Sequence, residues 1–295
     1  MMSTPFQIVV GSTADLPANI AEECNITVIP FIFTIGGRDY YNYLDNREIS
    51  PKDFYKAIGE GATATTTQVT TYRYIETWEP FLKEGKDILY ICLSSALSKS
   101  FDQSVMAARE MMEQYPERKV ITIDSKAASI GQGLLAYYAS KVRDKGLSLE
   151  ETAKRIEDII PRLQHWVVAD DLNHLKRGGR VSGVAATVGI LLSVKPILTV
   201  LDNGSLAPKA KIKGKKNALA YIADQMTTQK VNPKGQTIAI AHCATPETAR
   251  QLQDMIIAKF GPCKFIITDI GPVIGAHTGP GAIALVFLGA KRLSK

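Results

Sequence analysis

The sequence has few histidines, no paired cysteines and no long apolar run. The last two absences each exclude a class of protein. Its longest uncharged apolar segments, 184–194 and 281–290, are much shorter than the ~20 residues that a bilayer-spanning helix needs. The four cysteines lie far apart without a C-x-x-C pair, so we expect neither a redox motif nor a metal site. Residues 1–5 carry no positive charge and no apolar stretch, so we expect no secretory signal and a cytoplasmic protein.

The composition is that of a folded globular protein. The chain has 295 residues, of which 45% are apolar and 22% charged, and this length indicates two domains or one large one. Charge is divided unequally: residues 1–157 contain 17 Lys/Arg and 21 Asp/Glu, whereas residues 158–295 contain 18 and 8. The basic stretch 176–216 indicates a surface for an acidic partner, a phosphate or a nucleic acid, or simply a solvated face.

Alternation of short apolar runs with helical segments predicts an α/β fold. In residues 1–157, strands followed by helices favour an N-terminal α/β domain with a parallel sheet. In residues 158–295, we expect a C-terminal α/β domain with a mixed sheet, because two segments around Asp202-Asn203-Gly204-Ser205 read as an antiparallel hairpin. Polar loops at the ends of parallel strands are where such sheets bind ligands.

Several local expectations follow from turn and capping residues. Ser50 and Ser148 should each cap the N-terminus of a helix, and Pro80 should kink or end the helix that contains it. We expect one continuous strand over 27–33. Loops are expected over 63–71 and 271–281, and a helix of small residues is expected over 184–192.

Few side chains stand out as candidates for chemistry. His277 lies among four glycines and two prolines, an arrangement typical of a functional loop, whereas His165 and His242 lie in apolar strands and read as core histidines with satisfied hydrogen bonds. Hydroxyl groups of Thr65-Thr66-Thr67 and Ser94-Ser95 suit a carboxylate at a strand end. No G-x-S-x-G motif is present, and a Ser95–His277 pair would lack an orienting acid.

Several motifs in order resemble the DegV family of bacterial fatty-acid-binding proteins along nearly the whole chain. The motifs that carry this resemblance are Ser12-Thr13-Ala14-Asp15-Leu16-Pro17, Thr66-Thr67-Gln68, Ser94-Ser95-Ala96-Leu97-Ser98, Ile123-Asp124-Ser125-Lys126, 175–183, Lys195-Pro196-Ile197-Leu198 and 271–281. The chain departs from the family pattern at Gly11, at Val69-Thr70 and at Lys99, where an aspartate, a Pro-Ser pair and a glycine are usual.

The resemblance implies a two-domain carrier that is not itself an enzyme and has no cofactor. Such a protein holds one long-chain fatty acid, such as palmitate, stearate or oleate, in an apolar tunnel at the domain interface. By motif match, Thr66, Ser95 and His277 would bind the carboxylate, and the supporting residues would be Thr67, Ser94, Gly275 and Thr278.

The resemblance also implies a protein partner. Some members present the fatty acid to a separate ATP-binding fatty acid kinase subunit, which phosphorylates the carboxylate to an acyl phosphate for phospholipid synthesis. The docking residues would be Arg177, Arg180, Lys211 and Lys213, and a transient contact with a membrane surface is compatible with this role.

Two other classes of function remain open on the residues alone. One is a serine-dependent acyl hydrolase or transferase that uses Ser95 with His277 as its base. The other is a nucleic-acid-binding module. Because the basic stretch has hardly any aromatic residues to stack on bases, we expect no nucleic-acid partner.

Overall fold

A computed structural model describes residues 5–170, 172–181, 193–292 and 294 of the chain. Four parallel strands form the first sheet, in which the order is β2-β1-β6-β7. These strands are β1 (Phe6–Gly11), β2 (Ile26–Ile29), β6 (Asp87–Cys92) and β7 (Val120–Asp124). The predicted parallel sheet is therefore confirmed.

Helices connect and cover these strands. They are α1 (Ala18–Glu23), α2 (Pro51–Gly59), α3 (Thr71–Lys83), α4 (Ser100–Gln114), α5 (Ile130–Arg143) and α6 (Leu149–Ile159). Both predicted caps are present: the Ser50 hydroxyl accepts from the Asp53 backbone N–H of α2, and Ser148 forms a capping box with Glu151 at α6. Such caps satisfy N–H groups that have no partner within the helix.

The second sheet is mixed and has six strands, in the order β10-β9-β8-β13-β11-β12. Its strands are β8 (Leu163–Val168), β9 (Val194–Val200), β10 (Leu206–Lys213), β11 (Thr237–His242), β12 (Lys264–Asp269) and β13 (Ile283–Leu288). Among the strand pairs of this sheet in the described residues, only β11 and β12 are parallel, and β9 and β10 form the predicted hairpin. The α-helices that the structure describes in this half are α7 (Asn173–Arg177), α8 (Lys215–Thr228), α9 (Pro246–Phe260) and α10 (Pro272–Thr278).

A third, antiparallel sheet was not predicted from the sequence. It consists of β3 (Phe31–Ile35), β4 (Arg38–Asn42) and β5 (Ala64–Thr66), in the order β4-β3-β5. The single strand expected over 27–33 is wrong, because Pro30 separates β2 from β3 and the two strands join different sheets. Proline has no backbone N–H for a ladder, which makes it a natural break. The loop expected over 63–71 contains β5.

Two further local expectations need correction. Pro80 does not end its helix. It lies in the last turn of α3, which continues to Lys83, so few helical residues follow the proline. The segment 271–281 is not one loop, because it contains α10, which Gly271 precedes and Gly279 terminates at a φ of 73°. The helix expected over 184–192 lies outside the described residues.

Both halves of the chain contribute to the largest apolar core. All strands of the first sheet precede residue 157, and all strands of the second follow residue 158. Helix α5 contacts β1 and β6 of the first sheet and β11 of the second, and the largest cluster of buried apolar side chains contains Ile8 as well as Ala239. The domain boundary between residues 157 and 158 stays a prediction. Within the described ranges, no helix has the length and apolar character needed to cross a membrane.

Candidate functional site

A cavity of about 330 Å³ lies against one face of the second sheet. Alternate residues of a strand point to the same face, and two such residues from each of three strands line the cavity: His165 and Val167 of β8, Leu198 and Val200 of β9, and Ala284 and Val286 of β13. Apolar side chains from the rest of the chain complete the wall, among them Phe31, Leu93, Ile130, Ile270, Val273 and Ile274. Its volume is at the lower end of the roughly 300–1,000 Å³ that is usual for small-molecule sites.

A pair of hydrogen-bonded polar side chains, Thr66 and His277, lies in the wall of this cavity, and the part of the cavity around this pair is called its polar end. The Oγ1 atom of Thr66 and the Nε2 atom of His277 are 3.0 Å apart, and both residues line the cavity. Thr66 is the last residue of β5 and pairs with Phe33 of β3, while His277 lies in the last turn of α10. The third sheet and α10 therefore bring together two of the three predicted carboxylate ligands.

The environment of His277 keeps its ring neutral. Burial, with a smaller contribution from the positive charge of Arg180, lowers the pKa of His277 to about 4. At neutral pH one ring nitrogen therefore donates a hydrogen bond and the other accepts one. On one side the ring rests against backbone, since a Cβ atom at Gly178 would lie 2.3 Å from Nδ1.

Arg180 lies at the same end and lines the cavity. Its Nε atom donates to the Leu97 carbonyl at 3.3 Å, and its Nη1 atom donates to the carbonyl of Gly178. From the sequence we predicted only a docking role for this arginine, so its place in the cavity wall was missed. A guanidinium group is a strong partner for a carboxylate. In the sequence, the adjacent Gly178-Gly179 pair is the feature that could have indicated the position of Arg180 in the cavity wall.

Ser95 is not brought to this pair. Its side chain is exposed, and its backbone N–H and hydroxyl donate to the two carboxylate oxygens of Asp124 at 3.1 and 2.6 Å. Neither does Ser94 line the cavity: its buried hydroxyl donates to the carbonyl of Gly204 at 2.9 Å. This bond fastens the turn between β9 and β10 to the first half of the chain.

The other predicted supporting residues occupy different positions. Thr67 and Thr278 line the cavity, and the Oγ1 atom of Thr278 lies 3.4 Å from the sulfur of Cys243. Gly275 lies inside α10, where a Cβ atom would be 2.4 Å from the Tyr55 hydroxyl. Glycine is therefore required there for close packing.

Four basic residues that we predicted for partner docking lie on the surface. Arg177 is exposed, and its Nη2 atom is 2.9 Å from Nδ1 of His174. Lys211 and Lys213 are exposed on β10, at the edge of the second sheet, and Arg180 is exposed as well as lining the cavity. Lys99 also lines the cavity and forms an ion pair with Asp102 at 3.5 Å.

A buried carboxyl group supports the wall of the cavity and was not singled out from the sequence. Asp15 accepts hydrogen bonds from the Ser129 hydroxyl and from the Gly271 backbone N–H, and Ser129 lines the cavity. Burial raises the pKa of Asp15 to about 7, with the charge of Asp269 acting in the same direction. In the sequence, the feature that could have indicated this role is an acidic residue in a polar loop directly after β1.

The two histidines predicted for the core differ from each other. His242 is buried and satisfied, because its Nδ1 atom lies 3.2 Å from Oδ1 of Asp269. His165 is buried too, but neither of its ring nitrogens has a hydrogen-bond partner, so the expectation of a satisfied core histidine is wrong for this residue. Its ring lines the cavity. Within the described part of the chain, no group of three or more His, Cys, Asp or Glu side chains could hold a metal ion.

Fold and site together define an α/β protein with a mostly apolar ligand cavity that is polar at one end. A sequence model of the DegV family matches residues 5–290. The chain therefore belongs to the DegV family, and the resemblance carried by its motifs is confirmed.

Known members of the family resemble this chain over almost its full length. A DegV domain-containing protein of Clostridium perfringens strain 13 is 42% identical over 285 residues, covering 96% of this chain and 97% of the relative. The structure of DegV from Bacillus subtilis, a fatty acid binding protein, is 28% identical with a TM-score of 0.85, covering 98% of this chain and all of the other. A DegV family protein of Thermus thermophilus, for which fatty acid binding is described, is 26% identical with a TM-score of 0.87, covering 97% of this chain and 100% of that one. The predicted fold class is thereby confirmed.

Proposed function

We propose that this protein binds one long-chain fatty acid in the cavity and presents its carboxylate to an ATP-binding fatty acid kinase subunit. The observation that carries the proposal is the Thr66–His277 pair, which lies at one end of an otherwise largely apolar cavity. The related proteins of Bacillus subtilis and Thermus thermophilus, which are described as binding fatty acids, support it.

The polar end meets the main energetic demand of a fatty acid. Burying a carboxylate without partners is strongly unfavourable, so the head group needs hydrogen-bond donors and a compensating charge. The Thr66 hydroxyl can donate to the carboxylate while its oxygen accepts from the Nε2–H of the neutral His277 ring, and the Arg180 guanidinium supplies positive charge. Charge-assisted hydrogen bonds of this kind are about twice as strong as neutral ones.

The apolar wall suits the acyl chain. At ~0.8 kcal/mol per buried methylene, a tail of about 14 methylenes contributes ~11 kcal/mol, reduced by several kcal/mol for the motional freedom lost on binding. The ligand would therefore remain bound through purification. Palmitate, stearate and oleate are the acids proposed.

Phosphorylation of the bound acid would be carried out by the partner subunit. An oxygen of the carboxylate attacks the γ-phosphorus of ATP, the bond to the bridging oxygen of ADP breaks, and an acyl phosphate is formed. The carrier's part is to hold the carboxylate at the polar end of the cavity, where Arg180 and Lys99 are exposed to solvent. Ser95 stays a proposed carboxylate ligand, and its hydroxyl would have to leave Asp124 to take that role.

The alternative of an acyl hydrolase receives no support from the geometry. Ser95 donates to Asp124, and His277 bonds with Thr66, so the two groups of that hypothesis are not hydrogen-bonded to each other. A carrier should show no steady-state turnover of acyl esters in the absence of the kinase subunit.

The first test is the identity of the bound ligand. We expect denaturing extraction of the purified protein, followed by mass spectrometry, to release one equivalent of long-chain fatty acid. An empty extract, followed by failure of the protein to take up added palmitate or oleate, would overturn the proposal.

Thr66→Val tests the carboxylate site itself. The substitution preserves shape and removes the hydroxyl that faces His277, so loss of a hydrogen bond to a charged group should weaken fatty acid binding by roughly 10- to 100-fold. Thr65→Val is the matched control, since the Thr65 side chain is exposed and lies outside the cavity wall. Titration with a fluorescent fatty acid measures both, and equal affinities would place the head group elsewhere.

A further inference from the structure

Phe31 lies in the cavity wall and rests on a residue that has no side chain. Its ring is buried and lines the cavity. A Cβ atom at Gly11 would be 2.4 Å from Cε2 and 3.2 Å from Cδ2 and Cζ of this ring. The aspartate that is usual at this position of the family pattern has a Cβ atom, so it could not allow a contact this close.

The backbones on both sides of this contact are held in place. The N–H of Phe31 donates to the Oγ atom of Ser12 at 3.0 Å. Ser12 also accepts from the side chain of Asn42, which is the residue that pairs with Phe31 between β3 and β4. Gly11 is the last residue of β1 and pairs with Ile29 of β2. A clash between the two residues would therefore be relieved by rotation of the ring.

The open space beside the ring is the cavity. Protein interiors are close-packed, so a displaced side chain moves into the empty volume that adjoins it, and for Phe31 this volume is the cavity. A Cβ atom at residue 11 would push the edge of the ring by roughly 1 Å, from 2.4 Å to a van der Waals distance of ~3.5 Å. Gly11 therefore keeps the ring out of the cavity.

The register of the third sheet places Phe31 near the polar end. Thr66 pairs with Phe33 of β3, and Phe31 is two residues from Phe33, so all three side chains are on one face of the sheet. Phe31 and Thr66 are then diagonal neighbours, separated by roughly 7–8 Å. A fatty acid whose carboxylate is bound at Thr66 would pass the Phe31 ring with the first part of its acyl chain.

We propose that Gly11 and Phe31 determine the width of the cavity beside the first carbons of the acyl chain, and thereby which acids bind. The inference rests on the proposed function and adds a specificity-determining pair to it. With glycine at residue 11 the ring stays against β1 and a long straight chain passes it, whereas a larger residue there narrows the passage. A methyl branch on the first carbons would have to share the same space, so the pair selects acids that are unbranched near the carboxyl group.

Two substitutions and their combination test the pair. Gly11→Ala retains an extended backbone that alanine adopts freely, and it should weaken the binding of octadecanoic acid at least about fourfold, the equivalent of one buried methylene. Phe31→Leu removes the far atoms of the ring, so the double variant should bind within about twofold of Phe31→Leu alone. Competition against a fluorescent fatty acid measures all four proteins. The inference is overturned if Gly11→Ala binds as the unmodified protein does, or if the double variant binds as weakly as Gly11→Ala.

Two branched acids test where the pair acts. They are octadecanoic acids with one methyl group, either near the carboxyl group or near the far end of the chain. Phe31→Leu should raise the affinity of the first acid by about fourfold and leave that of the second unchanged. Equal changes for both acids would overturn the inference and leave the fatty acid proposal intact. If octadecanoic acid itself does not bind to the unmodified protein, the proposed function fails and the inference with it.

Discussion

His277 is positioned by a neighbouring residue that has no side chain. The Cα atom of Gly178 lies so close to the imidazole that an added Cβ would be 2.3 Å from Nδ1, a distance at which the ring has to move. We therefore expect Gly178→Ala to break the 3.0 Å contact between His277 and Thr66 and to weaken fatty acid binding roughly tenfold or more. Fatty acid titration measures the effect.

A second glycine provides the control for this substitution. Gly59 is the last residue of α2, and a Cβ atom there would meet nothing within 4 Å. Gly59→Ala should leave fatty acid binding unchanged and should not lower stability, because alanine reduces the entropy of the unfolded chain. If Gly178→Ala binds fatty acid as tightly as Gly59→Ala does, the observed position of the His277 ring is not required for fatty acid binding.

At the scale of elements, one carboxyl group joins three segments of the chain. Asp15 lies in the turn after β1 and accepts from Ser129, which precedes α5, and from Gly271, which precedes α10. Ser129 has a φ of 53°, a conformation that non-glycine residues rarely adopt. These contacts fix the start of α10, the helix that carries His277 in its last turn.

This carboxyl group makes stability depend on pH in a definite direction. Burial raises the pKa of Asp15 from 3.8 to about 7, so between these values the folded protein holds a proton that the unfolded chain has lost. Raising the pH through this range therefore favours unfolding, and the contribution amounts to on the order of 4 kcal/mol. Above about pH 7 both states are ionised and the contribution is constant.

Asp15→Asn isolates this contribution. An asparagine tolerates the positive φ of residue 15, which is 47°, and its amide oxygen can still accept from Gly271. We expect the free energy of unfolding of Asp15→Asn, relative to the unmodified protein, to increase as the pH rises from 4 to 7 and then to level off. Urea denaturation across this range measures it. A relative stability that is independent of pH would show that Asp15 titrates normally.

The elements that the sequence predicted well are those fixed by local patterns. β1, β6 and β7 are short apolar runs followed by polar turns, and the capping residues Ser50 and Ser148 sit where a helix needs side-chain acceptors. Helix α10 was missed because its glycines suggest a loop, although they serve packing against Tyr55 at Gly275 and termination at Gly279.

The site was predictable only in part. The motifs pointed to Thr66 and His277, but pattern alone cannot say that two residues 211 positions apart are hydrogen-bonded. The cavity-wall position of Arg180 and the unpaired ring of His165 depend on which elements face each other across the cavity. Such relations arise from tertiary packing and leave no local periodicity.

At the scale of the whole molecule, charge is divided between the halves of the chain. Residues 1–157 carry a net charge of −4 and residues 158–295 carry +10. Lys211 and Lys213 lie on the same face of β10, since they are two residues apart, and β10 is an edge strand. Such a basic edge would attract an acidic kinase subunit and orient it, chiefly by raising the rate of association.

The double substitution Lys211→Glu/Lys213→Glu tests this docking surface. We expect the KM of the kinase reaction for the loaded carrier to rise several-fold at low ionic strength, with kcat unchanged, and the difference to shrink with added salt because exposed charges are screened. Fatty acid content should be unaltered, since neither lysine lines the cavity. Lys141→Glu/Lys145→Glu, at exposed positions at the end of α5 and just after it, makes the same change in net charge in the other half of the chain. An equal rise of KM in both double variants would mean that the kinase senses net charge alone, and the docking surface would have to be sought elsewhere.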